Sequence, residues 1–496
     1  MIRISVITSE QIEIIESSTG PSLLDILRER GIPVYAPCGG KGTCGKCRVI
    51  ITGKGNVMSC SYSPRHDLEV ILPERNEVNI LVSQTEFLED LPYTGNASLD
   101  LSRRPYGVAI DLGTTTVVLY FLNLKTGQIE KIDSFLNPQQ LYGADVISRI
   151  SYCQEHKTGL EKLQKLIVRA INEKLDAFKT RKGIESHDFE KIVIAGNTTM
   201  LHILLGKDPV SIALAPFKPK FTSKQIIEGA GTGLNINEKG EVITLPCISA
   251  YVGADIVAGL AAIKSFHKNY IFIDIGTNGE IALIKGNETY TCSTAAGPAF
   301  EGANLSCGMG AVTGAISSFT DPFNYQVIGN VAPRGICGSG IVDIVAFLIG
   351  DGRIDDTGRL KETFIIHAEN DIGITQQDIR EIQLAKSAIF SGIKVLIDLV
   401  GLSFNQIDVL FLAGGFGNYI NIKSAIQIGL LPMELISRTT PIGNSAGIGT
   451  LQYLKSEVIG EKITQLLKQS FYIELSDRDD FTMEFALNMN FEKQNI

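Results

Sequence analysis

The chain has 496 residues, 44% hydrophobic and 20% charged, with a formal net charge of −9. That is material for two to four domains with large cores, and the acidic balance argues against a nucleic-acid partner. No apolar run reaches the roughly eighteen residues of a membrane span; Ile341–Ile349 is typical of the longest, and Asp343 interrupts it. No membrane partner is therefore expected, and with nothing resembling a targeting segment the expected location is cytoplasmic.

Ile2, Ile4 and Val6 alternate, and Ile12 and Ile14 resume the alternation after a polar break, which predicts a strand pair with one buried face. Ser22 is placed to cap a short helix Leu23–Arg30, with Asp25 in its first turn and Gly31 past its end. Three cysteines follow within ten positions, Cys38-Gly-Gly-Lys-Gly-Thr-Cys44-Gly-Lys-Cys47, and Cys60 comes thirteen residues later. Glycines let backbone amides turn towards a negatively charged cluster, and C-x5-C-x2-C…C is close to the plant-type 2Fe–2S spacing. Zinc would more commonly use two C-x2-C pairs, and only one exists here. Disulfides fit poorly with no signal peptide and five further scattered cysteines. Strands around Arg48–Thr52 and Leu68–Leu72 would complete a ferredoxin-like β-grasp fold, although the connection before Cys60 is short for a ferredoxin.

From Ser83 to Arg104 the composition shifts, with Pro92, Gly95, Asn96, Ser98 and the pair Arg103-Arg104 interrupting any periodicity. A linker that permits a modest swing of the first domain is expected. Then an apolar strand from Tyr106 ends on Asp111, turns through Gly113-Thr114-Thr115 and becomes a second apolar strand. The design returns 163 residues later at Asp274, with Gly276, Thr277, Asn278 and a strand from Glu280. Two copies suggest a duplicated lobe. Glycine allows backbone amides to approach phosphate oxygens, threonine adds hydroxyl donors, and an aspartate at a strand end can hold a magnesium shell or orient water. Taken singly, each copy reads equally well as a β-hairpin with an Asp-x-Gly turn.

A third strand, Val409–Ala413, runs into Gly414-Gly415-Phe-Gly417, where bare backbone would let a flat base lie. Pro441-Ile-Gly443-Asn-Ser-Ala-Gly447-Ile-Gly449 opens a helix whose small residues permit a close crossing. Glu301, in a Gly/Pro loop, is a candidate catalytic or metal-shell carboxylate. Gly338 and Ser339 open an apolar helix and are a candidate anion site. His202 reads as a packed helix histidine, and Cys153, Cys247, Cys292, Cys307 and Cys337 as small buried residues.

The order of these motifs resembles the acetate and sugar kinase, heat-shock chaperone and actin superfamily of ATPases. That resemblance implies phosphate loops at Asp111–Thr115 and Asp274–Asn278, an adenosine contact at Gly414–Gly417, and Mg2+ with ATP. The helix after Gly443 would be one interlobe connection, with Ala195–Leu205 and Gly253–Ile263 both fitting the other. With the amino-terminal ferredoxin, and with the stretch Asn137–Ile150, AGNTTM, GPAFEGA, GICGSG and Tyr472–Ser476, the whole chain resembles the reductive activators of corrinoid proteins.

The implied architecture is an α+β ferredoxin-like β-grasp domain followed by a two-lobed α/β actin-like ATPase with duplicated ribonuclease H-like lobes. Its expected divisions are a 2Fe–2S domain at 1–82, a linker at 83–105, a first lobe at 106–264 completed by 440–496, and a second lobe at 265–439. The implied cluster ligands are Cys38, Cys44, Cys47 and Cys60, and the implied catalytic carboxylates are Asp111, Asp274 and Glu301. The implied activity is ATP-dependent one-electron reduction of an inactive Co(II) corrinoid protein to Co(I), fed by an upstream low-potential electron donor. A homodimer is one assembly open to such a chain. Two other readings remain open on sequence: a small-molecule kinase with a redox-regulatory domain, and a plain electron-transfer protein.

Overall fold

The computed structural model describes residues 1–8, 12–32, 34, 36, 39–42, 46–72, 86–94, 104–264 and 267–491. At the amino terminus, strands Ile2–Ile7, Ile12–Ser17, Arg48–Ile51, Gly55–Met58 and Leu68–Ile71 form one sheet. Its order is second, first, fifth, third, fourth, with the first and fifth parallel. Helix Leu23–Glu29, capped by Ser22 accepting from the Asp25 amide, packs Leu23, Leu24, Ile26 and Leu27 on the face carrying Ile4, Val6, Val49 and Val70. The expected inward face of the second strand is corrected. Ile12 and Ile14 are 66% and 51% exposed, and Ile15 points inward, because the register sets Ile15 opposite Ile4 and side chains alternate with period two.

Two six-stranded sheets follow, built to one plan. In the first, Tyr106–Leu112, Thr116–Asn123 and Ile129–Leu136 form an antiparallel meander. Phe189–Gly196 then pairs parallel with Tyr106–Leu112, and Glu241–Thr244 parallel with Phe189–Gly196. In the second, Asn269–Ile275, Gly279–Lys285 and Glu288–Thr294 form the meander. Val409–Ala413 and then Thr439–Gly443 add in parallel. A 24-residue helix crosses between the third and fourth strands each time, Gly159–Lys182 in one and Gln376–Leu399 in the other. The two lobes are therefore built alike, as the repeated Asp-x-Gly hairpin implied, on the ribonuclease H-like plan that the resemblance implied. The helix Gly159–Lys182 buries Leu163, Ile167, Ile171, Leu175 and Phe178, a stripe at helical spacing. Phe178 stacks on Phe121 of the sheet with ring centroids 4.2 Å apart.

Between the lobes, helix Ala254–Ala262 crosses helix Ser445–Lys455 so closely that a Cβ on Gly449 would lie 1.9 Å from the Ala258 carbonyl oxygen. This settles the first interlobe connection on Gly253–Ile263, since helix Thr198–Leu204 packs instead on the first lobe's long helix. The allotment of 440–496 to the first lobe is corrected at its end. Ser470–Tyr472 pairs with Glu288–Thr294, and helix Asp479–Leu487 lies on helix Gln376–Leu399, where Gln383, Lys386 and Ser387 donate to the Met489, Asn490 and Phe485 carbonyls.

The expected swing through 83–105 is also narrowed. Leu88 bridges to Ile263 and is buried, Glu89 and Asp90 pair with Lys462 and Lys455, and the Leu91 amide donates to Gln452. The segment 86–94 is thus docked on the helices beside the first lobe. Among the described residues no helix is long and apolar enough to cross a membrane.

Candidate nucleotide cleft and cluster site

Asp111 and Asp274 sit at equivalent places, the ends of the first strands of the two meanders. Each occupies a wall of the cleft between the lobes. Burial, followed by the charge of Asp255, raises the carboxyl groups of both Asp111 and Asp274 to about 7. An Asn444 hydrogen bond opposes the shift at Asp111. Asp255, in the first turn of helix Ala254–Ala262, is itself raised by burial to about 6. Glu280, the second residue of strand Gly279–Lys285, is raised well above its ordinary range by burial and by Asp255 and Asp274. Four carboxylates thus repel one another in a poorly hydrated space, an arrangement that a cation relieves. Among the described residues no three His, Cys, Asp or Glu side chains converge to hold an ion directly. Asp111 and Asp274 are the carboxylates that would hold a Mg2+ here, an ion that is commonly bound through one or two carboxylates beside phosphates.

The first turn is held from behind. Asn137 and Gln140 donate to the Gly113 and Thr115 carbonyls, each at 2.9 Å. The buried Arg149 donates to the Thr114 carbonyl at 2.6 Å, and Asn197 donates to the Thr114 hydroxyl at 2.8 Å. With the carbonyls tied down on that side, the turn's amides are free to serve an anion on the other. Gly113 has to be glycine, because a Cβ there would meet the Thr116 carbonyl oxygen at 2.3 Å. In the second turn the Gly276 amide donates to the Asn278 carbonyl, and the Thr277 hydroxyl donates to Glu301 at 2.7 Å. Glu301, at the end of a short 3-10 turn Pro298–Glu301, is also raised by burial, while Arg149 from the first lobe opposes the shift. Arg149 behind the first loop and Glu301 behind the second are near enough for their charges to act on each other.

Gly414 has φ +79°, and a Cβ on it would lie 2.3 Å from Asp274 Oδ1, whereas a Cβ on Gly415 would meet nothing within 4 Å. Within Gly414–Gly417 only Gly415 thus presents open backbone, since Gly417 is buried against Leu412, and the stretch starts a short helix Gly414–Tyr419 rather than forming a simple turn. The anion site expected at Gly338 and Ser339 is corrected. Both are buried, the Ser339 hydroxyl donates to the Ser317 carbonyl at 2.7 Å, and a Cβ on Gly338 would strike the Phe300 carbonyl oxygen at 1.9 Å. They pack one wall against Phe300 and Phe416, whose rings stack at 5.1 Å. His202 is packed as expected, with Nδ1 against the Thr198 carbonyl and Nε2 accepting from the Lys220 amide.

In the amino-terminal domain Cys38 and Cys44 lie outside the described residues. Cys47 and Cys60 are brought together, their Sγ atoms 3.2 Å apart without a disulfide. Ser59 fixes this approach by donating both its amide and its hydroxyl to the Cys47 carbonyl at 2.9 Å. The short connection therefore brings Cys60 to the side of Cys47. Gly39, Gly40 and Gly42 all have positive φ, so the loop uses backbone that side chains disfavour. Two convergent thiols within a glycine-shaped loop fit a 2Fe–2S cluster.

Sequence reasoning missed Asp255, Glu280, Asn137 and Arg149 as members of the cleft. Glu280 left a trace, as a carboxylate inside an otherwise apolar strand.

The family described as 2Fe-2S iron-sulfur cluster binding domain matches residues 7–70. The RACo middle region matches 106–269, and the C-terminal domain of RACo, the ASKHA domain, matches 268–496. The corrinoid activation enzyme RamQ of Eubacterium limosum is 31% identical, with 97% of this chain and 98% of that protein aligned. The [Co(II) methylated amine-specific corrinoid protein] reductase of Methanosarcina barkeri is 24% identical over 66% of each chain. Among solved structures, a reductive activator for corrinoid,iron-sulfur protein superposes with a TM-score of 0.70 at 29% identity, covering 99% of each chain.

Proposed function

The chain belongs to the RACo family of reductive corrinoid activators, and we infer that it is an ATP-dependent enzyme that returns the inactive Co(II) form of a corrinoid protein to Co(I). The observation that carries this reading is the alignment over 97% of this chain, in which a cluster domain and a two-lobed ATPase are joined in one polypeptide. When bound, the 2Fe–2S cluster supplies a one-electron reductant near about −400 mV. The Co(II)/Co(I) couple of the substrate lies lower still, and each ~59 mV of uphill gap costs a factor of ten. ATP binding and hydrolysis in the cleft offset that gap by favouring one arrangement of the complex over another.

Cys38, Cys44, Cys47 and Cys60 hold the cluster. Asp111 and Asp274, backed by Asp255, orient a hydrated Mg2+ and the attacking water. The amides of Gly113–Thr115 would hold phosphate from one side. On the other, where the Gly276 amide already donates to the Asn278 carbonyl, the Thr277 hydroxyl, set by Glu301, and the Asn278 amide would do so. The turn through Gly414, Gly415 and Gly417 would seat the adenosine on the open side of Gly415. An upstream low-potential donor refills the cluster, the working location is the cytoplasm, and a homodimer is one form open to the chain. The test is the absorbance of a Co(II) corrinoid protein mixed with the reduced chain. Co(I) should accumulate with Mg-ATP and not without it, and full Co(I) formation in the absence of nucleotide would reduce the protein to a simple ferredoxin.

A further inference from the structure

The cysteine loop touches both ATPase lobes. Lys46, immediately before Cys47, donates from Nζ to the Leu305 carbonyl at 2.8 Å and to the Gly308 carbonyl at 3.2 Å, with the Ser306 carbonyl at 3.4 Å. These carbonyls belong to the second-lobe loop that leaves Glu301. That loop is stiff: a Cβ on Gly302 would lie 2.2 Å from the Met309 carbonyl oxygen, and one on Gly308 would lie 2.3 Å from that of Gly302. On the other side Lys41 pairs with Glu155 of the first lobe at 3.3 Å. Arg28 donates to the Gly39 carbonyl at 3.0 Å and lies over the Tyr142 ring, 5.5 Å from its centre. Tyr142 is in the same stretch, Asn137–Arg149, that ties down the first phosphate turn.

We propose that this loop is a latch across the two lobes, with Lys46 as its positioning residue, and that nucleotide phosphate at the second hairpin releases it; the proposal rests on the nucleotide reading of the cleft. A phosphate arriving at Thr277 competes with Glu301 for the hydroxyl now held at 2.7 Å, and its charge repels the Glu301 carboxylate. Displacing Glu301 moves the stiff loop that carries the three carbonyls. An ammonium shared among three carbonyls tolerates little movement of any of them, since hydrogen bonds weaken steeply with distance and angle. Docking and nucleotide then oppose each other, and the opposition is reciprocal. The docked loop weakens nucleotide binding, and bound nucleotide frees the ferredoxin-like domain to meet its redox partner.

The experiment uses the full, cluster-loaded chain under anaerobic conditions, with a non-hydrolysable ATP analogue and Mg2+ as the probe. Two quantities are read: the analogue's Kd, and amide hydrogen exchange in peptides carrying residues 39–42 and 46–47. In the parent, analogue should speed this exchange. Lys46→Met, which keeps the stem and removes the donor, should exchange fast without analogue and bind analogue roughly fivefold tighter. Lys46→Arg should behave as the parent. A Lys46→Met protein with parental Kd and parental, analogue-dependent exchange would overturn the latch. Should Lys46→Met lose the cluster absorbance, Glu155→Lys, which sets like charge against Lys41 from outside both loops, is read by the same two measurements. A parent chain that binds no analogue would overturn the nucleotide reading itself.

Discussion

Gly414→Ala tests the cleft with one methyl group. The new Cβ would stand 2.3 Å from Asp274 Oδ1, where Cβ atoms do not come within 3.0 Å of a neighbour, so the carboxylate has to retreat by at least 0.7 Å. The residue would also keep φ near +79°, a conformation that costs an L-residue about 1–2 kcal/mol. The strain falls on the second lobe alone. A misplacement of about 1 Å at a reacting group costs around a hundredfold in rate, so partner-stimulated Mg-ATP hydrolysis should fall about ten- to a hundredfold. The cluster spectrum should not change, because Cys47 and Cys60 pack in the amino-terminal core, apart from the cores of the two lobes. Gly415→Ala is the matched control, with φ outside the positive region and nothing within 4 Å of the added methyl. It should keep the fold and hydrolysis at saturating ATP, and raise only the nucleotide Kd if a base lies against that backbone. Steady-state hydrolysis, nucleotide affinity and visible absorbance separate these cases. Parental hydrolysis by Gly414→Ala would refute the placement of Asp274 at the reacting phosphate.

Cys60→Ser should abolish or visibly alter the 2Fe–2S absorbance, and a normal spectrum would mean that a different fourth ligand is used. Asp111→Asn should cut ATP hydrolysis by at least tenfold while leaving the cluster reducible, read by hydrolysis beside the reduced-cluster spectrum. Asp111 and Asp274 titrate near about 7 in the free protein, and a protonated carboxyl is a poor partner for Mg2+. Mg-nucleotide affinity should therefore drop as pH falls from 8 to 6, by up to about tenfold per unit for each group involved. A flat affinity profile would remove these carboxylates from the magnesium shell.

How much of this was legible in advance depends on whether a residue's role was set by its neighbours in sequence. The hairpins at Asp111 and Asp274 announce themselves, because strand, carboxylate and glycine turn are contiguous. So does the helix cap at Ser22. The cysteine spacing names a cluster without showing that Cys60 reaches Cys47, which depends on Ser59 folding back onto the Cys47 carbonyl. Asp255 was invisible as a cleft residue, since the chain brings it to Asp111 and Asp274 only by crossing helix Ala254–Ala262 under Ser445–Lys455. Pro92, Gly95 and the arginine pair point to a linker with a modest swing, yet Leu88 and Leu91 supply enough apolar surface and backbone pairing to dock 86–94. In the strand Ile12–Ser17, three isoleucines at 12, 14 and 15 support either face, and the choice falls to pairing with Ile4.

Asp255 shows how the cleft can hold energy for the motion that coupling needs. Its carboxyl is raised from 3.8 to about 6 by burial. In the unfolded chain it titrates at its ordinary value, so the folded state loses stability as pH rises from about 4 to about 6 and carries the full penalty above that. At 1.36 kcal/mol per pH unit the gap is worth at most about 3 kcal/mol. Asp255→Asn should therefore stabilise the metal-free chain against denaturant at pH 8 by up to that amount and have little effect near pH 4. Mg2+ with nucleotide should narrow the difference at pH 8, because the cation removes the repulsion that the substitution removes. If Asp255→Asn destabilises the chain at pH 8, the carboxylate is instead a paired structural group. The penalty at pH 8 disfavours the ion-free cleft, and its relief on binding Mg-ATP would be free energy available to move one lobe against the other.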